Sequence, residues 1–136
     1  MTVKHIHHIN FLVRDLDAAV EKYTIILGQP KDAAQYNELP GRGVRMARFK
    51  LGQTWLVLVQ PLGDEGIPAQ HLRDHGEGFF LMSLDVDDVV VAGEQLQSKG
   101  VVMDDIGIRH GLDDWQVWDI DAGATYGAQL QLCQDS

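Results

Sequence analysis

The sequence predicts an α+β fold: two tandem β-α-β-β-β modules that form a curved, cup-like, mostly antiparallel sheet with helices on its outer face. One observation is an internal repeat. Residues 7–28 and residues 80–100 both contain an alternating apolar stretch, then acidic residues, then an amphipathic run that stops at glycine. The other is that the remaining apolar stretches alternate with period two, as strands do. Because Leu81 lies 73 residues after His8, the two are counterparts in this repeat.

The first module is predicted to span about residues 5–60. Residues 5–13 alternate between apolar and polar side chains, which predicts a strand with two different faces. Asp15 is predicted to cap a helix that stops at Gly28. Two further alternating stretches predict a hairpin, at residues 44–51 and 54–60.

The second module is predicted to span about residues 78–134 and to follow residues 61–68, a Pro- and Gly-containing linker. Its first strand is predicted at residues 78–85, and Asp88 is predicted to cap a helix that ends at Gly100. Later strands are predicted at residues 101–103, 115–119 and 128–133. With helices on one side of the sheet, the other side is available for a ligand.

Composition limits the classes of function. The chain has 136 residues, of which 45% are hydrophobic, so one domain over residues 1–136 with an ordinary core is expected. A single cysteine, Cys133, excludes an internal disulfide, and the start of the chain does not resemble a signal peptide, so a cytoplasmic location is expected. The net charge of −9 argues against nucleic-acid and membrane partners.

Several motifs together resemble the vicinal oxygen chelate superfamily, which includes glyoxalases, ring-cleaving dioxygenases and bleomycin-resistance proteins. Within it, the chain is most similar to methylmalonyl-CoA epimerases. The matching segments are residues 7–17, 44–52, 58–63, 76–78 and 127–132. The resemblance implies a cup that binds a small molecule, and a homodimer.

The resemblance also implies four metal-ligand positions, one on each of four strands. In this chain they are His8, Val57, Leu81 and Gln131. Val57 and Leu81 have no donor atoms, and a Gln amide oxygen is a poor replacement for a carboxylate. One imidazole does not supply the three or four ligands that such ions usually take. We therefore expect no metal and no cofactor, and a metal-independent function.

Other polar groups must then carry any chemistry. His8 and Gln131 are predicted to polarise a substrate carbonyl by hydrogen bonds, and Glu38 or Asp85 to move a proton. Glu38 is a candidate only through the resemblance, which implies a glutamate base on the loop before the third strand. Residues predicted to line the ligand site are Asn10, Trp55, Val57, Leu81, Ser83, Trp115 and Gln129.

Other noticeable residues have structural interpretations. His5 and His7 are expected at the solvent or at a sheet edge. Cys133 is expected to be a small buried hydrophobe. Arg48 and Lys50 alternate with apolar residues and are expected on a solvated strand face.

Two hypotheses about function remain open at this level. One is a metal-independent isomerase, epimerase or lyase acting on a carbonyl or acyl-thioester compound. The other is a binding or resistance protein that sequesters a small aromatic or hydrophobic molecule. A buried carboxylate close to His8 favours the enzyme, whereas a site of amides and aromatics alone favours sequestration.

Overall fold

A computed structural model describes residues 2–135. The helices are α1 (Leu16–Ile26), α2 (Ile67–His75) and α3 (Val89–Ser98). The strands are β1 (Ile6–Leu12), β2 (Gln35–Leu39), β3 (Val44–Leu51), β4 (Thr54–Pro61), β5 (Gly78–Asp85), β6 (Arg109–His110), β7 (Gln116–Asp119) and β8 (Leu130–Gln134). Three short 3₁₀ helices lie at Pro40–Arg42, Leu112–Asp114 and Ala122–Thr125. The predicted α+β class is confirmed.

The chain divides into two compact units. We call residues 9–80 the central unit, and residues 2–8 together with 81–135 the terminal unit. The boundary between them falls inside β1, so the strand that begins the first half of the repeat contributes its first residues to the terminal unit. No described helix is long and apolar enough to span a membrane.

In the central unit, α1 forms where the sequence predicts it. The Asp15 carboxylate accepts a hydrogen bond from the Ala18 amide at 3.1 Å, and Gly28 follows the helix with a positive φ of 62°. The sheet of this unit is antiparallel, with β2 pairing β3 and β3 pairing β4. Leu16 of α1 packs on Phe49 and Leu58, all fully buried, which fixes the helix-facing side of β3 and β4.

In the terminal unit, Asp88 caps α3 by accepting hydrogen bonds from the Val90 and Val91 amides at 3.0 and 3.1 Å. Strand β5 pairs in parallel with β8, and β8 pairs antiparallel with β7, which pairs with β6. Val89, Ala92 and Leu132 form the core on the α3 side. Alternate residues of β5, β7 and β8 therefore lie on the opposite face of the sheet.

Glycine at position 93 is required by the packing of α3. A Cβ atom added to Gly93 would clash with ring atoms of Trp118 on β7. The Trp118 indole N–H also donates to the Asp104 carbonyl oxygen at 3.1 Å, which fixes the ring. Helix α3 therefore approaches the sheet closely at this point.

Three elements differ from the prediction. Strand β2 lies where a loop was expected, and α2 begins at Ile67, inside the predicted linker. Instead of a strand at residues 101–103, the structure has an isolated bridge from Met103 to Ile120. None of the three segments has a clear period, so pairing with a neighbour decides the structure.

Candidate functional site

The face of the terminal unit that lies away from α3 carries buried polar side chains. Ser83 is fully buried, and Asp85 and Gln131 are 5% and 6% exposed. Burying polar groups costs free energy unless they are hydrogen-bonded, so such a face indicates function more than packing. Ser83 and Gln131 are direct partners in the pairing of β5 with β8.

Gln131 is held by a carboxylate. Its amide nitrogen donates to Asp119 Oδ1 at 2.8 Å, and Arg109 binds the other oxygen of Asp119. Because a carboxylate only accepts hydrogen bonds, the amide nitrogen of Gln131 must face Asp119. The second N–H of that amide is the group with which Gln131 can polarise a ligand oxygen.

A hydrogen-bonded chain links His8 to the protein surface. His8 Nδ1 lies 2.8 Å from His7 Nδ1, and His7 Nε2 lies 2.9 Å from Asp135 Oδ2. His7 and His8 are 2% and 5% exposed, whereas the Asp135 side chain is 48% exposed. His7 was expected at the solvent or an edge, and this expectation is wrong. It is buried, and its hydrogen-bond partner lies 128 residues away in sequence.

These contacts assign the histidine tautomers. The nitrogen of His7 that faces Asp135 carries its hydrogen, so Nδ1 of neutral His7 is an acceptor. Nδ1 of His8 must then donate to it, which leaves Nε2 of neutral His8 without a hydrogen. With its hydrogen on Nδ1, neutral His8 has a hydrogen-bond acceptor at Nε2; the role of His8 as a hydrogen-bond donor to a carbonyl stays a prediction.

Trp115 holds the two imidazoles in place. Its ring stacks on His8 with centroids 5.1 Å apart and an interplanar angle of 21°, and it meets the His7 ring edge-on at 4.4 Å. Trp115 is 4% exposed. Trp115 was predicted to line the ligand site, and in the structure its ring packs on His8.

Cys133 lies beside this group and is fully buried, as expected of a small buried hydrophobe. Burial, together with the nearby charges of Asp135 and Asp85 and against the influence of the Ser83 hydroxyl, raises the pKa of its thiol to about 12. Among the described residues, the buried Ser83 hydroxyl has no hydrogen-bond partner. Cys133 is therefore not a nucleophile at neutral pH.

Asp85 is engaged by two cationic or ionisable groups of the same unit. Its Oδ2 lies 3.3 Å from Lys4 Nζ and 3.7 Å from His5 Nδ1. This ion pair explains how a carboxylate with 5% exposure is accommodated at the end of β5. The structure thus favours a stabilising role for Asp85 over the predicted role as a base.

Glu38 lies on β2 and not on a loop. Its register partner is Arg45, whose guanidinium lies 3.6 Å from Glu38 Oε1 and 3.2 Å from Asp17 Oδ1 on α1. Glu38 is therefore on the helix-facing side of the central sheet, 67% exposed, and not on the side predicted to face a ligand. It drops out of the catalytic candidates.

The central unit holds the other predicted ligand-site residues on the side away from α1. Trp55 and Val57 alternate with the core residue Leu58, and the Arg48 guanidinium lies over the Trp55 ring at 4.2 Å. Arg48 is only 5% exposed, so the expected solvated strand face is wrong at this position. Asn10 is half-buried, and its Oδ1 has no hydrogen-bond partner among residues 2–135.

The remaining predicted residues are less informative. Leu81 and Gln129 are both half-buried, and the Gln129 carbonyl accepts a hydrogen bond from the Met82 amide at 3.0 Å. Leu81 and Val57 offer no donor atoms, and the Gln131 amide is bound to Asp119. The residues at the superfamily's metal positions therefore do not fit a metal.

Comparisons with known proteins agree with this architecture. The model of the glyoxalase/bleomycin resistance protein/dioxygenase superfamily matches residues 5–117. The chain belongs to this superfamily. No curated protein sequence matches the chain.

Solved structures of the superfamily share the fold. Methylmalonyl-CoA epimerase from Streptomyces coelicolor is 23% identical, with a TM-score of 0.89, covering 99% of this chain and 96% of that one. The epimerase from Mycobacterium tuberculosis is 24% identical with a TM-score of 0.89, covering 98% of this chain and 89% of that one. A hypothetical protein from Bacillus halodurans is 21% identical with a TM-score of 0.87, covering 96% and 94%.

Sequence reasoning missed His7, Asp135, Asp119 and Arg109. All four are polar residues whose importance comes from contacts between distant segments, so no local period or motif identifies them. One signal was present for Asp119: it lies in an alternating stretch whose pairing with Gln131 makes the two side chains neighbours on one face. The polar side chains of the terminal unit thus include His8 and Gln131, which the sequence predicted as site residues, and four residues linked to them through hydrogen bonds or ion pairs, which it did not.

Proposed function

We propose that this protein is an isomerase, epimerase or lyase that removes a proton next to the carbonyl of a small compound, without a metal at the superfamily's usual positions. Acyl thioesters are the favoured substrate class. The observation that carries the proposal is the hydrogen-bonded chain from Asp135 through His7 to His8. It is the arrangement of a general base whose orientation is fixed by two further groups.

His8 supplies the base in this proposal. The contact with His7 directs the Nδ1 hydrogen of His8 inward, so Nε2 accepts the proton from carbon. The Asp135 carboxylate stabilises the positive charge that then spreads over the two imidazoles, as a carboxylate does behind a catalytic histidine. Stacking on Trp115 limits rotation of the His8 ring, which keeps its lone pair in one direction.

Gln131 supplies the electrophile. When the carbon–hydrogen bond breaks, its electron pair moves into the carbonyl and forms an enolate oxygen. The second N–H of the Gln131 amide donates to that oxygen, and Asp119 and Arg109 keep the amide oriented. Return of the proton from His8 to a neighbouring carbon completes an isomerisation, and delivery to the opposite face of the same carbon, after the bound enolate has turned over, completes an epimerisation.

The substrate class is supported by relatives. Epimerases with the same fold are described in complex with methylmalonyl-CoA and with 2-nitronate-propionyl-CoA. Identities of 23% show the fold alone, so the class is a proposal for this chain.

Deuterium exchange tests the proposal without knowledge of the product. A panel of acyl-CoA thioesters is incubated with the protein in D₂O, and deuterium at the α-carbon is followed by NMR. We expect exchange with the native chain, and a loss of about 10²- to 10⁴-fold in rate for His8→Gln. His110→Gln, an exposed histidine of the same unit, is the matched control and should exchange normally.

A second candidate is sequestration of a small aromatic or apolar compound. It is favoured by Trp55 and Val57 on the side of the central unit away from α1, beside the buried Arg48. A compound that binds tightly without α-proton exchange in any thioester supports this candidate and contradicts the enzyme.

We also propose that the protein is a homodimer located in the cytoplasm. The resemblance to the superfamily supports the homodimer, and sedimentation of the purified chain is its direct test.

A further inference from the structure

We propose that His7, His8 and Cys133 form a binding site for a divalent cation of the zinc type, at a place different from the superfamily's metal positions. Within residues 2–135 this is the group of three such side chains whose ligand atoms all lie within 4.8 Å of one another. All three residues are buried. Two imidazoles and one thiolate are a set of ligands that zinc commonly takes.

The contact between the two rings supports a cation site. The Nδ1 atoms of His7 and His8 point at each other at 2.8 Å, so a proton must lie between the two lone pairs. A metal ion can take the place of that proton. Tetrahedral zinc holds its nitrogen and sulfur ligands about 3.3–3.6 Å apart, by its usual bond lengths, so small side-chain shifts are sufficient.

Asp135 gives His7 the environment of a metal ligand. Its carboxylate accepts from His7 Nε2 at 2.9 Å, which leaves Nδ1 as the ligand atom. A carboxylate behind a coordinating histidine is the usual outer partner in zinc sites. The charges also balance, because one thiolate and one carboxylate neutralise a divalent cation.

Ser83 provides a second observation at this site. Its hydroxyl is fully buried and has no hydrogen-bond partner among the described residues, which is costly for a polar group. A metal-bound thiolate supplies the acceptor that this hydroxyl lacks.

The site differs from the superfamily's set by two of its three ligands. Only His8 is shared, since Cys133 lies two residues after Gln131 on β8 and His7 precedes His8. The inference goes beyond the proposed function and does not depend on it. A cation bound at Nδ1 of His8 requires the hydrogen of the neutral imidazole to lie on Nε2. Nε2 then has no lone pair for a proton, so cation binding and proton acceptance by His8 exclude each other.

Cobalt titration of the full-length, chelator-treated protein tests the site directly. We expect one Co²⁺ per chain, with the charge-transfer absorption of a cobalt–thiolate bond and the visible bands of tetrahedral cobalt, and displacement by Zn²⁺. Cys133→Ala should remove the charge-transfer band. His7→Gln should weaken binding by more than the about 10- to 100-fold expected for the outer-partner variant Asp135→Asn.

His75→Gln is the matched control. His71 and His75 on α2 have ring centroids 4.5 Å apart and are the rival pair for a surface-bound cation. The control should bind Co²⁺ as the native protein does. Circular dichroism checks the fold of each variant. Should Cys133→Ala unfold, the cobalt–thiolate band of the native protein and its loss of intensity in His7→Gln test whether the cation binds at this site. Absence of a thiolate band, or binding unchanged in His7→Gln, would overturn the site.

These results separate this inference from the proposed function. Loss of α-proton exchange on adding zinc, with exchange in the metal-free protein, supports both. Cobalt binding in a protein that exchanges no substrate supports the site and contradicts the proposed function.

Discussion

The two units use related segments of a repeated sequence, yet the sides of their sheets away from the helices differ in chemistry. In the terminal unit this side carries Ser83 and Gln131, with the pair His7 and His8 packed beside Cys133. In the central unit the corresponding side is mostly apolar around one buried guanidinium, that of Arg48. A duplicated scaffold therefore does not imply duplicated chemistry: on this side the terminal unit has buried imidazole, hydroxyl and amide groups, and the central unit has apolar side chains around a guanidinium.

Changing His8 has the largest expected effect on this comparison. His8→Gln keeps a polar side chain but lacks a basic nitrogen, so α-proton exchange should fall by about 10²- to 10⁴-fold. Arg48→Met in the central unit should leave the exchange rate at saturation within about tenfold, because none of the proposed proton-transfer groups lies in that unit. The two effects are read from the concentration dependence of deuterium incorporation.

An equal loss of maximal exchange rate in both variants would contradict the division of roles. His110→Gln serves as the control for general effects of histidine replacement.

The helix positions that correspond across the repeat provide a second comparison. Gly93 of α3 meets Trp118, whereas its counterpart 73 residues earlier, Val20 of α1, is a buried core residue. Gly93→Ala should overpack the terminal unit, at a cost of about 1–3 kcal/mol, partly offset by about 1 kcal/mol from the better helix propensity of alanine. Val20→Ala should destabilise for the opposite reason, a cavity.

Urea unfolding measures both variants. A double-mutant cycle of Gly93→Ala with Trp118→Leu should show a favourable coupling, because the smaller side chain removes the clash. Additive effects on the free energy of unfolding would mean that contact with Trp118 is not the cause of the destabilisation by Gly93→Ala.

The two helix caps are expected to have smaller and similar effects. Asp15→Ala and Asp88→Ala each remove the acceptor for the first helical amides and should cost about 1 kcal/mol in the free energy of unfolding. Asp15→Asn and Asp88→Asn are the controls, since asparagine caps as well as aspartate. Loss of stability in the Asn variants as large as in the Ala variants would point to charge and not to capping.

The smallest expected effect is a pH dependence in the central unit. Burial, and then the nearby charge of His75, lower the pKa of His71, which packs edge-on against Phe80 at 4.9 Å. The unfolded chain binds more protons than the folded chain below about pH 6.5, so stability should decrease as pH falls through that region. His71→Gln should reduce this slope, and His110→Gln should not.

The sequence predicts well what depends on local signals. The caps Asp15 and Asp88 and the stops Gly28 and Gly100 are recognisable from residue type and spacing, and they place α1 and α3. Strand β2 has no such pattern, and it exists because β3 pairs with it. Tertiary pairing, and not propensity, decides such segments.

The candidate site was predictable only in part. His8 and Gln131 were identifiable by their strand positions. The partners that determine their roles were not, because Asp135 reaches His7 across most of the chain, and Asp119 reaches Gln131 through a strand register. Orientation of a donor or acceptor depends on these partners, so the proposed role of His8 is that of a proton acceptor and not of a hydrogen-bond donor.

The division of β1 between the two units has a consequence for expressing parts of this chain separately. The second half of the repeat alone, residues 78–134, contains Cys133 and Gln131 but neither His7 nor His8. Expressing that half by itself yields a fragment that lacks both imidazoles. A peptide covering residues 2–12, added in trans, is therefore the piece that such a fragment requires.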